Sequence, residues 1–156
     1  MTMSWQREIA ETIIAERRHM PGALLPILHA LQDRFGYVDQ EALPLIAEAL
    51  NLSRAEVYGV MTFYHDFRER PPGRHVVKVC RAESCQSMGC DALVAHIEKT
   101  VGAKLKETAA DGSVTLEPVY CLGNCALSPA LSRDGELHGR MTPESFDRLH
   151  RDKVSR

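Results

Sequence analysis

The sequence predicts an α+β protein in which a helical bundle is followed by a domain that mixes strands and helices. Apolar residues recur at helical spacing between Ser4 and Phe67. Arg68–Arg74, a run of charges around Pro-Pro-Gly, then interrupts that pattern. Beyond it, two runs rich in β-branched residues each lead into a pair of cysteines. We therefore expect a helical module over residues 1–70 and a second domain over residues 74–156.

The helical module is predicted from apolar stripes and helix-start signals. Two helices are expected to present stripes spaced by three or four residues, Trp5, Ile9 and Ile13 in the first and Leu24, Leu28, Leu31 and Phe35 in the second. Asp39 can cap a third helix, but proline fits only the first turn of a helix, so Pro44 would place the start later than Asp39 indicates. This helix would carry Leu43, Ile46, Ala47 and Leu50. Ser53 and Glu56 have the spacing of a capping box and predict a fourth helix.

The first half of the second domain is predicted as strand, cysteine loop and helix. His75–Val79 is a β-branched run that ends at Cys80. The next helical stripe ends at Gly102, a residue typical of helix C-termini, and consists of Leu93, Val94, Ile97 and Val101.

A second strand, a hairpin and a helix complete the domain. Val114–Tyr120 is expected to be a strand leading into Cys121, with Pro118 favouring an edge position or a bulge. Asp134 and Gly135 predict a tight hairpin turn between short strands. Thr142 and the proline after it have the arrangement of a helix start, with Met141 able to pack on Phe146.

Composition and charge narrow the classes of function. The 156 residues carry 19 basic and 21 acidic side chains, a formal charge of −2, so no basic surface for nucleic acid or for a membrane is indicated. No apolar run of membrane-spanning length occurs, and the acidic residues near the start do not fit an export signal. We expect a cytoplasmic protein whose partners are other proteins.

The two cysteine pairs, Cys80-x4-Cys85 and Cys121-x3-Cys125, are the candidate site. In a reducing compartment such pairs indicate metal binding more than disulfides, and four thiolates complete the ligand shell of zinc or of an iron–sulfur cluster. Spacing alone leaves both metals open. The long gap between Cys80 and Cys85, together with Gly123 in the second loop, tilts the choice towards a 2Fe-2S cluster, because a positive φ there turns N–H groups towards sulfur.

Cys90 repeats the four-residue spacing and is the rival ligand. It falls where the helix that carries Leu93 begins, so we expect a small buried thiol and leave it out of the ligand set. Rieske-type ligation is not indicated because the sequence has no Cys-x-His. Glycine-rich nucleotide loops and a nucleophile elbow are also missing, so no independent substrate site is expected on this chain.

The motifs, in order, resemble those of a known family. They are Gly22-Ala23-Leu24-Leu25-Pro26, Gly36-Tyr37-Val38, Val60-Met61-Thr62-Phe63-Tyr64, the first cysteine pair and Tyr120-Cys121-Leu122-Gly123-Asn124-Cys125. The chain resembles the thioredoxin-like 2Fe-2S subunit that accompanies the flavin subunit of respiratory complex I and its soluble relatives. The resemblance implies a thioredoxin-like ferredoxin domain and one cluster held by Cys80, Cys85, Cys121 and Cys125.

Within the family, the segment Cys80–Gly89 most resembles the gamma subunit of soluble, NAD-dependent molybdenum formate dehydrogenases. This implies an electron-transfer subunit of an oxidoreductase complex that oxidises formate and reduces NAD. FMN and NAD would be bound by one partner subunit and the molybdenum cofactor by another. The equivalent subunit of complex I or of an NAD-linked hydrogenase is the alternative. A zinc-stabilised protein-interaction module is the alternative from another class.

Overall fold

The computed structural model describes the backbone of residues 4–154 and the side chains of residues 4–151. The outermost residues of both predicted modules, 1–3 and 155–156, lie outside that range. The chain divides into two compact units, with the boundary between Pro71 and Pro72. This boundary falls inside the Pro-Pro-Gly segment, where proline stops a preceding helix.

The first unit is built from four helices: α1 (Arg7–Arg17), α2 (Leu24–Phe35), α3 (Ala42–Leu50) and α4 (Arg54–Phe63). Their apolar faces meet in one core, in which the largest fully buried side chains are Ile27, Leu28, Leu31, Phe35, Ile46 and Met61. The predicted stripe of α2 faces that core. In α1 the register is shifted by one residue, since Ala10 and Ile14 are buried whereas Ile9 and Ile13 are only partly covered.

Local signals set the helix ends of this unit. The capping box of α4 is present, with Ser53 Oγ accepting the Glu56 N–H at 3.2 Å and Glu56 Oε2 accepting the Ser53 N–H at 2.8 Å. Helix α3 begins at Ala42, so Pro44 lies within its first turn, where a missing N–H is tolerated. Asp39 does not cap α3 itself but accepts the Glu41 N–H at 2.9 Å in the turn before it.

The second unit contains a four-stranded mixed sheet of order β2-β1-β3-β4. The strands are β1 (His75–Cys80), β2 (Val114–Val119), β3 (Leu131–Arg133) and β4 (Glu136–His138). β1 pairs with β2 in parallel and with β3 antiparallel, and β3 pairs with β4 antiparallel. Pro118 lies on β2 at the sheet edge, as predicted, where its missing N–H costs no ladder hydrogen bond.

Helices α6 (Cys90–Val101) and α7 (Pro143–Val154) contribute apolar side chains to the core of the sheet. Leu93 and Ile97 of α6 and Phe146 of α7 are buried there with Val77, Val79, Leu116 and Leu131. The predicted hairpin joins β3 and β4, with positive φ at both Asp134 and Gly135. The predicted α+β class is therefore confirmed. No helix in residues 4–154 combines the length and apolarity needed to span a membrane.

Besides the α1 register and the role of Asp39, two segments of the fold differ from the sequence expectations. The segment after Cys80, expected to be a loop, contains a short helix, α5 (Glu83–Ser87), which carries Cys85. Trp5, expected on α1, precedes the helix, and its indole N–H donates to Glu41 Oε2 at 3.0 Å.

Candidate metal centre

The parallel pairing of β1 and β2 brings the two cysteine pairs to one edge of the sheet. Cys80 is the last residue of β1 and is in register with Val119, the last residue of β2. Cys121 follows two residues later. Because the carboxyl ends of parallel strands lie at the same edge, the loops that follow both strands meet there. The expectation that both pairs lie at strand ends is confirmed.

The first pair, Cys80 and Cys85, is almost completely buried, with 3% and 2% of each residue exposed. Burial raises the pKa of the Cys80 thiol, although the effects of the Ala82 and Leu122 backbone oppose that shift. Burial also acts to raise the pKa of the Cys85 thiol. Hydrogen bonding with the Ser128 side chain, the Ala130 backbone and the Cys80 side chain outweighs burial and lowers that pKa. The pocket around Cys85 thus favours a thiolate.

The second pair, Cys121 and Cys125, is exposed. Gly123 adopts a φ of 71°, and its N–H donates to Cys121 Sγ at 3.2 Å. The next residue, Asn124, has a φ of −110° and precedes the short 3-10 turn Cys125–Leu127. A hydrogen bond to Cys121, followed by the electrostatic effect of that neighbour, raises the pKa of Cys125.

The two ligand loops contact each other directly. The backbone of Leu122, in the second loop, interacts with the Cys80 thiol in the first and acts to lower its pKa. Ser84 Oγ donates to the Cys125 carbonyl at 3.2 Å and lies 2.8 Å from Ser128 Oγ. These contacts connect α5 to the turn that carries Cys125.

Cys90 lies outside this arrangement. It is the first residue of α6, is fully buried, and its Sγ donates to the carbonyl of Cys80 at 3.0 Å. Burial raises the pKa of Cys90, which favours the protonated thiol. The expected buried position at a helix start is therefore observed, with an added hydrogen bond to the backbone of a candidate ligand.

The donor set fits an iron–sulfur centre that needs two thiolates on each metal. The thiols are arranged as two pairs whose members interact, Cys80 with Cys85 and Cys121 with Cys125. In the second pair the Gly123 N–H donates to Cys121 Sγ, and a donor of this kind stabilises negative charge on sulfur. None of the five cysteines, all of which lie in the described range, forms a disulfide. Within that range no three Cys, His, Asp or Glu side chains gather closely enough to hold a single metal ion.

Several residues at this edge were not identified from the sequence. Ser84 and Ser128 connect the loops through their hydroxyls, and Gly139 passes against the turn that follows Asn124. Serines and single glycines are common in any chain, so their residue types do not indicate a position near the cysteines. Their place at the site is visible only in the fold.

The family assignment follows from comparison with known proteins. Residues 10–153 match the family model described as thioredoxin-like 2Fe-2S ferredoxin. The chain belongs to this family. The match spans nearly the whole chain and confirms the predicted fold of the second domain. The family resemblance inferred from the ordered motifs is likewise confirmed.

Curated relatives are named as E subunits of NADH-quinone oxidoreductase. The relative from Pseudomonas aeruginosa is 39% identical over 127 residues, covering 81% of this chain and 76% of that protein. The relative from Escherichia coli K12 is 33% identical over 144 residues, covering 92% and 87%. Both relatives are therefore matched along most of their length.

A solved structure gives the same result for the fold. An NAD+-reducing NiFe-hydrogenase in the air-oxidised state superposes with a TM-score of 0.72 at 25% identity, covering 87% of this chain. The match covers 23% of the hydrogenase chain, which is therefore much longer. Similarity thus extends to oxidoreductases of more than one type.

Proposed function

We propose that Cys80, Cys85, Cys121 and Cys125 hold one 2Fe-2S cluster and that the chain is a one-electron transfer subunit of an NAD-linked oxidoreductase complex. The observation that carries the proposal is the meeting of two thiol pairs at the carboxyl edge of β1 and β2. A 2Fe-2S cluster takes two protein ligands on each iron, so two pairs supply a complete set. Membership in a ferredoxin family supports the same ligand chemistry.

When bound, the cluster supplies reversible uptake of one electron. The protein's part is to stabilise the added negative charge. The Gly123 N–H donates to Cys121 Sγ at 3.2 Å. The backbone of Ala82 and Leu122 acts to lower the pKa of Cys80, and the backbone of Ala130 acts to lower that of Cys85. The buried pair anchors the site within the sheet domain, whereas the exposed pair faces the surface, where an electron partner can approach.

Anaerobic purification of the full chain tests the cluster and its ligands. We expect two irons and two sulfides per chain and an EPR signal on reduction. Cys80→Ser and Cys121→Ser should remove or alter that signal, one variant from each pair. Cys90→Ser is the matched control and should leave it intact, because Cys90 Sγ donates to the backbone carbonyl of Cys80, a hydrogen bond that a serine hydroxyl can also make. A colourless protein with one stoichiometric zinc would establish the zinc module instead.

For the parent complex we infer an NAD-dependent molybdenum formate dehydrogenase. The support is the segment Cys80–Gly89, which resembles the gamma subunit of those enzymes. In this assignment a partner subunit binds FMN and NAD, another carries the molybdenum cofactor, and this chain binds neither formate nor NAD. The second candidate is the equivalent subunit of NADH-quinone oxidoreductase or of an NAD-reducing hydrogenase, which the curated relatives and the hydrogenase structure favour.

Isolation of the intact complex by a tag on this chain distinguishes the candidates. A molybdenum subunit that copurifies, with formate-dependent reduction of NAD+, would support the first. Membrane subunits with NADH-dependent quinone reduction, or a nickel subunit with hydrogen-dependent NAD+ reduction, would overturn it in favour of the second. The genes that neighbour this one provide the same discrimination without purification.

A further inference from the structure

A pair of serine hydroxyls joins the two cysteine loops at the candidate centre. Ser128 is 8% exposed, and its Oγ lies 2.8 Å from Ser84 Oγ, 2.9 Å from the Cys125 carbonyl oxygen and 3.6 Å from Cys85 Sγ. Ser84 Oγ also lies 3.2 Å from the Cys125 carbonyl. Two hydroxyl protons are therefore available to three acceptors, namely a sulfur, a carbonyl and a hydroxyl oxygen.

Loss of the Cys85 proton changes how these hydrogen bonds can be arranged. In the free thiol, Cys85 can donate to Ser128 Oγ, and Ser128 can donate to the Cys125 carbonyl. A cysteine that ligates a metal has lost its proton and can only accept. The contact between Cys85 and Ser128 then persists only if Ser128 donates its O–H to the sulfur. The carbonyl of Cys125 is left to Ser84, the other hydroxyl within reach.

We propose that Ser128 is a positioning residue that donates a hydrogen bond to the Cys85 sulfur and raises the cluster's reduction potential, and that Ser84 frees it to do so. The proposal rests on the proposed cluster at the four cysteines. A hydrogen bond to a ligand sulfur stabilises the more negative, reduced state more than the oxidised state, so it shifts the potential upward. Ser84 acts by satisfying the Cys125 carbonyl.

Redox titration of the full chain, followed by EPR, tests this directly. Ser128→Ala should lower the potential, with the ratio of reduced to oxidised protein falling roughly three- to tenfold at a fixed poise, where tenfold is about 59 mV for one electron. Ser84→Ala should produce a smaller fall, because the carbonyl then competes for the Ser128 proton. The double variant should match Ser128→Ala alone, since Ser84 acts only through Ser128.

Ser87→Ala is the matched control. Ser87 lies on the same short helix, but its hydroxyl donates to the Ser84 carbonyl at 2.9 Å, so its removal should leave the potential unchanged. Ser128→Thr, which keeps the hydroxyl, should restore most of the wild-type potential. A purely structural role for Ser128 would change loading or stability without moving the potential.

The results separate the inference from the proposed function. Fully loaded Ser128→Ala with an unchanged potential would overturn the inference and leave the cluster in place, and so would shifts that simply add in the double variant. If Ser128→Ala does not hold iron, the reduction potential of Ser84→Ala tests the inference instead. A potential below that of the wild type would support the inference, and an unchanged potential would reject it. A wild-type chain with no iron–sulfur signal would instead reject the proposed function.

Discussion

Gly139→Ala is expected to disturb the turn that carries Cys125 through a steric clash alone. A Cβ at Gly139 would lie 2.7 Å from Leu127 Cβ, 2.9 Å from the Leu127 carbonyl oxygen and 2.8 Å from Asn124 Nδ2. Ordinary carbon–carbon contacts are about 3.5–4.0 Å, so the nearest pair would have to separate by about 1 Å. The φ of Gly139 is not in the left-handed region, so alanine meets no backbone strain there.

The surrounding hydrogen bonds direct that movement into the ligand turn. The N–H of Arg140 donates to the Leu127 carbonyl at 2.6 Å, and the N–H of Met141 donates to the Pro129 carbonyl at 2.9 Å. These bonds hold the two residues that follow Gly139 against the turn. Overpacking of this kind costs about 1–3 kcal/mol. We expect the free energy of unfolding of the sheet unit to fall by that amount and the cluster to be lost more rapidly to a chelator.

Two measurements on the full chain test this prediction, the urea midpoint and the rate of bleaching by an iron chelator. Gly59→Ala is the control, because Gly59 is exposed on α4 and a Cβ there meets nothing within 4 Å. Replacing a glycine within a helix by alanine stabilises the protein by about 0.5–1 kcal/mol, so Gly59→Ala should raise the urea midpoint. Equal midpoints and bleaching rates for Gly139→Ala and wild type would refute the steric reasoning.

Three further predictions follow from other parts of the chain. Cys90→Ala should lower the free energy of unfolding by about 1–2 kcal/mol, because a buried sulfur and its hydrogen bond to the Cys80 carbonyl are lost. The visible spectrum of the cluster should persist. Loss of that spectrum in a folded variant would contradict our ligand set. Ser53→Ala should destabilise the helical unit by about 1 kcal/mol in urea unfolding, with Ser53→Thr as the control that keeps the cap, and equal loss in both variants would contradict the capping role. Burial, and then the charge of Arg133, lowers the pKa of His150, so the unfolded chain takes up that proton more readily. Stability from this group should be complete above about pH 6.5 and decrease as the pH falls below it, and His150→Gln should reduce that slope; an unchanged slope would reject the effect.

Features specified by neighbouring residues were predictable from the sequence. The capping box at Ser53, the turn at Asp134 and Gly135, and the helix end at Gly102 each depend on contacts within a few positions. The edge position of Pro118 was also predictable, because proline has no backbone N–H to donate to a neighbouring strand. At these places the preferred local conformation and the fold agree.

The details of the candidate centre depend instead on residues far apart in the chain. The hydroxyl contact between Ser84 and Ser128 spans 44 positions, and the contact of Leu122 with Cys80 joins the loops after two different strands. Periodicity and motif spacing relate residues that are close in the sequence, so they do not predict contacts between distant loops. The cysteine spacing could therefore nominate the ligands, whereas the groups that donate to their sulfurs became visible only in the fold.

The unequal burial of the two thiol pairs has a consequence for electron transfer. Cys80 and Cys85 are shielded by the sheet domain, so the polarity around them is set by fixed N–H and O–H groups. Cys121 and Cys125 are exposed, so water contributes to the stabilisation of added negative charge on that side. A partner that covers this side removes the water, which disfavours the reduced state unless the partner supplies donors or cations of its own. The potential measured on the isolated chain and that of the complex should therefore differ, and the sign of the difference reports whether the covering surface is apolar or positively charged.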